Sequence, residues 1–393
     1  MRNWSKVASY VGAIALSATV SVASAQTKTG TVKIGSNIEL SGNFVAVGGP
    51  PATAIRMAVK EINDRGGFVV GDTTYKFQLI EADDKGVAAT AVSEMLRLVE
   101  DEKVKAVFGP MLGALAGPTG EISNSAKVLH FTPSSLWQVN GYLADAARPL
   151  FFDTQVALTQ VASTDVEGMK QIGAKKVAFI ALDDETTKSN FVPFQKVMAE
   201  AGIAVEAILF PAGTTDFSSY VTRAKSSADA IYYLYPQALA PDVLRTVVDL
   251  FPNAKGFGAR ATDPNIALKG INGKPLPFPY FTSFNTPSVD YPVTDKVRDF
   301  SARLKAFSPN LSGPTVSFVF FAYDFVYMLA ESMKVAGTVD DTIKIGQALT
   351  ALKFDGVAGR VCFPGGIRIA SMDGSLITVR DGKLEAKLAP SGC

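Results

Sequence analysis

Residues 32–67 read VKIGSNIELSGNFVAVGGPPATAIRMAVKEINDRGG, and this stretch decides the fold. Val32-Lys33-Ile34-Gly35 is a short β-branched run of strand type. Pro50 or Pro51 stands where a helix would start, and Ile55, Ala58, Val59 and Ile62 follow at i, i+3, i+4 and i+7. That spacing lines one face of a helix. Gly66-Gly67 stops the helix by supplying left-handed backbone geometry. Tyr75 to Ala82 is the next strand, and a second helix carries Val92, Met95, Leu96 and Val99 on one stripe. Strands follow at Val104 to Phe108, ended by Gly109-Pro110, and at Val128 to Phe131, ended by Thr132-Pro133. Strand and helix alternating through short links predict a parallel sheet covered on both faces.

The pattern then restarts. Val177 to Leu182, Ile203 to Phe210 and Ala230 to Tyr235 read as strands, with helices at Phe191 to Ala201, around Val221, and at Leu239 to Leu250. After Pro275, Pro277 and Pro279, a strand at Tyr280 to Ser283 leads to two long helices, Thr294 to Ala306 and Thr315 to Ala336. These helices have no strands of their own, so they return to cover the first sheet. The tail from Val357 to Leu388 reads as short strands with turns at Pro364-Gly365-Gly366, Asp373-Gly374 and Asp381-Gly382. The expected fold class is α/β, with two doubly wound parallel-sheet lobes.

The N-terminus reads as a secretory address. Arg2 and Lys6 precede an apolar run from Val7 to Val20, and Val22-Ala23-Ser24-Ala25 places small residues before Gln26. These are the three regions of a signal peptide cleaved after Ala25. The run is too short and too rich in Ala and Ser to serve as a membrane anchor. No Cys follows the cleavage site to take a lipid. Lys+Arg is 38 and Asp+Glu 37, so removing Arg2 and Lys6 leaves 36 against 37, a formal charge of −1. This balance argues against nucleic acid and against a basic membrane-surface protein. The longest later apolar run, Phe318 to Ala330, is interrupted by Tyr323-Asp324 and reads as a buried helix.

Signatures of catalysis are absent. There is no G-x-S-x-G, no H-E-x-x-H and no P-loop G-K-[ST]. His130, the only histidine, lies in an apolar strand and reads as a core residue. Gly256-Phe257-Gly258-Ala259-Arg260-Ala261 matches the dinucleotide pattern, but Thr262-Asp263-Pro264-Asn265 breaks the chain where the helix should follow. Asp83-Asp84 and Asp183-Asp184-Glu185 begin loops after strands and read as helix caps and turns rather than metal or paired-carboxylate sites. Two Cys and one His cannot form a zinc site of the usual kind, and no metal or cofactor is expected. Cys362 and Cys393 permit one disulfide in an oxidising compartment; two free thiols are the alternative.

The positive signal is a convergence of loops. Leu40-Ser41-Gly42-Asn43-Phe44, Gly109-Pro110-Met111-Leu112-Gly113-Ala114 and Thr132-Pro133-Ser134-Ser135-Leu136-Trp137 all follow strands, so a parallel sheet puts them on one edge. Gly113 and Ser134-Ser135 fall near helix starts, where N–H groups and hydroxyls suit a carboxylate.

The chain resembles the branched-chain amino-acid binding proteins of ABC transporters over nearly its whole length after the signal peptide. The resemblance is carried by Ser41-Gly42, the helix Ala54 to Ile62 with Asn63-Asp64-Arg65-Gly66-Gly67, and Leu79 to Asp84. Val107-Phe108-Gly109, Phe131-Thr132-Pro133, Thr215-Asp216-Phe217 and Phe321-Ala322-Tyr323-Asp324 add to it. It implies the type I periplasmic binding-protein fold, two lobes joined by three crossover strands. Lobe one would be 26–150 plus 285–356, and lobe two 151–284 plus 357–393. It further implies a periplasmic monomer that captures a small carboxylate-bearing ligand, an amino acid or an aromatic or aliphatic acid, by hinge closure. The partners implied are a membrane permease and its ATPase subunits. Leu112, Gly113, Ser134 and Ser135 would then hold the carboxylate. Arg260 stands where the family places an acid for the α-ammonium, and is expected instead to contact a polar or anionic group of the ligand, with Asp183 or Asp263 able to supply the missing carboxylate. Phe44, Trp137, Tyr235 and Phe318 are the aromatics expected near the cleft, with Thr186 beside Asp183 in lobe two. A periplasmic sensor on the same fold, or an exported enzyme acting through Asp183-Asp184, are the alternatives.

Overall fold

The computed structural model describes residues 28–133, 137–138, 140–284, 286–311 and 318–393. The secretory leader and its cleavage after Ala25 lie outside the described residues. Lobe one begins with β1 (Lys28–Ile38), α1 (Val45–Asp64), β2 (Phe68–Val70), β3 (Thr73–Asp83), α2 (Ala88–Leu96), β4 (Ala106–Phe108), α3 (Ala116–Ser125), β5 (Leu129–Thr132) and β6 (Phe151–Asp153). Its sheet runs β2-β3-β1-β4-β5-β6, parallel except for the β2–β3 pair. Lobe two follows with α4 (Leu158–Gln171), β7 (Lys176–Leu182), α5 (Glu185–Glu200), β8 (Ala204–Phe210), α6 (Ser218–Ser227), β9 (Ala230–Tyr233), α7 (Ala240–Leu250), β10 (Phe257–Arg260), the short α8 (Asn265–Leu268) and β11 (Tyr280–Phe284).

The chain then returns to lobe one as α9 (Asp295–Phe307), α10 (Val319–Ala336) and α11 (Thr342–Ala351), followed by the hairpin β12 (Phe354–Gly356) and β13 (Gly359–Val361). It ends in lobe two as β14 (Gly374–Arg380) and β15 (Lys383–Ala389). The second sheet runs β15-β14-β11-β10-β9-β7-β8, with β14 and β15 antiparallel at one margin. Two doubly wound lobes joined by three crossovers are therefore present.

Strand alternation builds the layers. On β1, Val32, Ile34 and Ile38 enter a core shared with α1 and α10. Gly35 and Asn37 face the other way, where the Asn37 amide donates to the Ala91 carbonyl of α2 at 2.9 Å. A side chain on Gly35 would press on Leu98 at 3.1 Å. Glu61 of α1 locks these helices together by accepting from the Tyr323 hydroxyl at 2.6 Å and from Arg303 of α9.

Several sequence expectations shift. α1 begins at Val45, so Pro50 and Pro51 lie inside it. Its first turn packs on the end of β1, where a Cβ on Gly48 would sit 2.3 Å from the Glu39 carbonyl oxygen; that burial outweighs the helical bonds the prolines cannot make. α5 starts six residues before the expected Phe191, because the Asp184 carboxylate caps it by accepting from the Thr187 amide at 2.7 Å. On α2 the buried stripe is Ala91, Met95, Leu98 and Val99, and Leu96 is turned outward by the wide turn at Arg97–Asp101. Lobe one runs past the expected boundary at 151, since β6 pairs with β5. Val357, Ala358, Val361, Phe363, Ala370 and Met372 also pack in its core, so the return to lobe two comes at 373 rather than 357. Cys362 and Cys393 form a disulfide. Among the described residues no helix is long and apolar enough to cross a membrane.

Asp324, fully buried on α10, fixes the β12–β13 turn. Its carboxylate accepts from the amides of Val357 at 2.9 Å and Ala358 at 3.0 Å. Burial pushes its pKa up to about 7, against the pull of those two amides. Because the folded value lies above the unfolded one, the folded state binds the extra proton between about pH 4 and 7, and this group's contribution to stability falls as pH rises through that window. Asp324→Ala, which strands two buried amides, should lower the urea-unfolding free energy by about 3 kcal/mol. Asp324→Asn should lose less and should lack this part of the pH slope.

Candidate functional site

In parallel sheets the carboxyl ends of the strands collect on one edge, where a crevice forms. In lobe one that edge is held by buried or bonded carboxylates. Asp83, ending β3, accepts from the amides of Leu40 at 2.9 Å and Ser41 at 3.2 Å, from Lys85 N at 3.1 Å and from the Ser41 hydroxyl. Burial raises its pKa, but those hydrogen bonds outweigh it and hold the carboxyl below its usual value. Glu39, fully buried just past β1, accepts from the Leu112 amide at 2.9 Å and so ties the loop after β4 to the loop after β1. Burial, together with the nearby charge of Asp84, lifts Glu39 to about 7. Asp84 is itself lifted to about 6 by burial, with the Gly86 amide opposing and Asp83 adding. The pair Asp83-Asp84 is thus structural, and Glu39 is a positioning residue that sequence reading missed.

The loops expected from the sequence to meet a ligand sit on this frame. Gly109 lies against β1, where a Cβ would meet the Asn37 carbonyl oxygen at 2.3 Å. The Thr132 hydroxyl donates to the Pro110 carbonyl. Leu112 and Gly113 are half-buried, and Gly113 opens the turn Gly113–Leu115 that runs directly into α3. Ser134 and Ser135 lie outside the described residues. Phe44 is exposed over Gly86, and Phe318 is half-buried with its ring 5.6 Å from Phe321.

Trp137 does not face a crevice. It is fully buried, stacked on Phe151 with ring centroids 4.3 Å apart, and meets the His130 ring edge-on. This aromatic layer buries more apolar surface than an exposed indole could. His130 is a core residue, its Nε2 donating to Gly109 O at 2.6 Å and its Nδ1 paired with the Ser123 hydroxyl at 2.8 Å. Burial lowers its pKa to about 4, with the Gly109 contact opposing, so the ring is neutral near pH 7.

In lobe two, Asp183 ends β7 exposed, 3.9 Å from the Lys188 ammonium, and Asp184 serves as the helix cap. Thr186 lies in the first turn of α5, and its side chain is outside the described set. Tyr235 follows β9 and is half-buried. Asp263 is exposed and accepts from the Asn265 amide at 2.9 Å in the turn that leads into α8.

Arg260 departs most from expectation. Alternation along β10 sends Phe257 and Ala259 to one layer and Gly258 and Arg260 toward α4 and α5. The guanidinium, only 9% exposed, forms an ion pair with the fully buried Asp165 of α4. Its other arm donates to Asn190 Oδ1 at 2.8 Å, and its carbon lies 5.9 Å from the Tyr232 ring. Burial pushes the Asp165 carboxyl up, while the Arg260 charge and the Ser283 hydroxyl pull it back. Burial likewise opposes the Arg260 charge, but Asp165 outweighs it and Arg260 holds its proton more tightly than usual. Within lobe two, Arg260 is thus engaged by both Asp165 and Asn190. Asp165 could not be foreseen, because its helix carried no recognised pattern. Gly258 of the dinucleotide-like run is a packing residue, since a Cβ there would lie 2.3 Å from the Phe281 ring.

Among the described residues no group of three or more His, Cys, Asp or Glu is placed to hold a metal. The lobe-one edge offers backbone groups and small side chains at Gly109, Leu112 and Gly113.

The comparisons agree with this geometry. A profile of the family described as periplasmic binding protein matches residues 31–383. The Leu/Ile/Val-binding protein BraC3 of Rhizobium johnstonii is 27% identical over 323 residues, 81% of this chain and 83% of that protein. The Leu/Ile/Val-binding protein homolog 7 of Brucella suis is 27% identical over 234 residues, and the match spans about half of each chain, 56% of this one and 55% of the relative. An ABC-transporter solute-binding protein of R. palustris, solved in complex with 4-hydroxybenzoate, shares the fold at a TM-score of 0.70 and 22% identity, covering 92% of this chain and 97% of that one. With two α/β lobes and this match over residues 31–383, the chain belongs to the periplasmic binding protein family.

Proposed function

We propose that this protein is the periplasmic solute-capturing component of an ABC transporter, and that its ligand is a small carboxylic acid without an α-ammonium, of the benzoate type. The acid's carboxylate lies against the loop at Leu112 and Gly113. Phe44 and Tyr235 flank the apolar body, and Asp183 and Thr186 close over it from lobe two. Contacts to both lobes exist only when the lobes are shut, so the ligand shifts an open ensemble toward a closed one for delivery to a permease. Binding and release require no chemical step.

The observation that carries this reading is the Arg260–Asp165 pair. It engages Asp165, the buried carboxylate beside the end of β10, and so leaves the exposed Asp183 and Asp263 as the acids of that edge among the described residues. Neighbours of this fold have been solved with 4-hydroxybenzoate and with isoleucine, and the sequence relatives are named for leucine, isoleucine and valine. A thermal-shift and calorimetry panel decides between them. Benzoate and 4-hydroxybenzoate should raise the melting temperature by several degrees at a hundredfold excess over Kd, where binding adds about 2.7 kcal/mol. Leucine, isoleucine and valine should leave it unchanged. The reverse pattern overturns the ligand class while keeping the capture mechanism.

The ion pair itself makes a second prediction. Arg260→Ala strands a buried carboxylate and should destabilise the fold by about 3–5 kcal/mol. The double variant Arg260→Met with Asp165→Leu should recover most of that loss, since apolar replacement of a buried pair is often neutral. It should also keep acid binding. A folded double variant that binds no acid would show instead that Arg260 reaches the guest.

A further inference from the structure

The peptide chain crosses between the lobes three times: between β6 and α4, between β11 and α9, and at residues 372–373. A fourth link is covalent but not peptide. β15 ends at Ala389 on the margin of the second sheet, and the residues beyond it turn back until Cys393 bonds Cys362. Cys362 belongs to lobe one, since Val361 and Phe363 on either side of it lie in that lobe's core.

This return runs beside the third crossover and is bonded to it at each step. The Ser391 amide donates to Asp373 Oδ1 at 2.6 Å, and the Gly392 amide donates to the Ser371 hydroxyl oxygen at 3.1 Å. Cys362 and Ser371 exchange both backbone hydrogen bonds, at 3.1 and 2.8 Å. The Ser371 hydroxyl donates to Gln160 Oε1 at 2.8 Å, and Gln160 Nε2 donates to the Met372 carbonyl at 2.6 Å. Gln160 stands in the first turn of α4, directly after the first crossover. Two of the three peptide crossovers and the tail are thus tied into one hydrogen-bonded bundle, clamped by the disulfide.

We propose that the Cys362–Cys393 bridge is a hinge strap, a fourth link between the lobes that limits how far they swing apart and so sets the resting balance between open and closed forms. The proposal rests on the hinged-capture reading above. A single crossover opens by rotating a few backbone dihedrals. Two links lying side by side across the same hinge must rotate together, and the short return from Ala389 to Cys393 gives little slack. The strap acts on the motion and not on the site, because none of its residues lies on the strand-end loops.

The test compares three full-length proteins without ligand by small-angle scattering. One is the parent. The second carries a Gly-Ser-Gly-Gly insertion between Pro390 and Ser391, which keeps the disulfide but slackens the strap. The third is Cys393→Ser. Both variants should show a larger radius of gyration than the parent, and amide protons of Ser371 and Gly392 should lose protection from exchange. With 4-hydroxybenzoate and leucine as probes, whichever binds the parent should bind the insertion variant about threefold more weakly or worse, since less of the protein starts in a closable form. A scattering profile of the insertion variant that superimposes on the parent overturns the strap, even if Cys393→Ser differs, because the bridge would then act on stability alone. If neither probe binds the parent, the ligand reading fails, and the ligand-free scattering still decides the strap.

Discussion

Everything in this structure follows from the need of a parallel strand to be covered on both faces. Parallel neighbours require crossover helices, and right-handed crossovers place those helices on both sides of the sheet. The strands of β1, β4 and β5 therefore end on the same side of lobe one, and those of β7, β9 and β10 on the same side of lobe two. The loops that leave those ends can gather backbone donors and short side chains without disturbing a core. The site is a by-product of covering the sheets.

What turns loops into a shaped surface is the use of carboxylates as fasteners. Asp83 gathers the backbone after β1, Glu39 reaches across to Leu112 after β4, and Asp165 cancels Arg260 at the end of β10. Glu39 and Asp165 work where solvent is scarce, so their hydrogen bonds are stronger than in water and an unpaired charge there would be costly. The lifted proton affinities of Glu39 and Asp84 are the mark of that burial. A buried acid in this chain is a piece of carpentry before it is a piece of chemistry.

The fold was legible because its signal is local and repeated. Ile55, Ala58, Val59 and Ile62 line the buried face of α1, and the runs 177–182 and 203–210 fall on β7 and β8. The elements that escaped notice are those with mixed faces, such as α4, whose buried residues include Asp165 and Gly168, and α11, which is short. The site was less legible for a different reason. A residue's neighbours across the fold decide whether its charge is free, and Arg260 meets a partner 95 positions away. Trp137 likewise looks like a wall residue in a loop, yet Phe151 and His130 claim it for the core.

One further consequence belongs to the margin of the second sheet. β15 is an edge strand with unpaired backbone groups along its outer side, the kind of border that recruits strands from other molecules. Its side chains alternate Lys383, Glu385 and Lys387 with Leu384, Ala386 and Leu388, and the charged set is the more exposed one. An incoming chain would have to strip water from three charges to pair there. The protein thereby carries a built-in deterrent to aggregation.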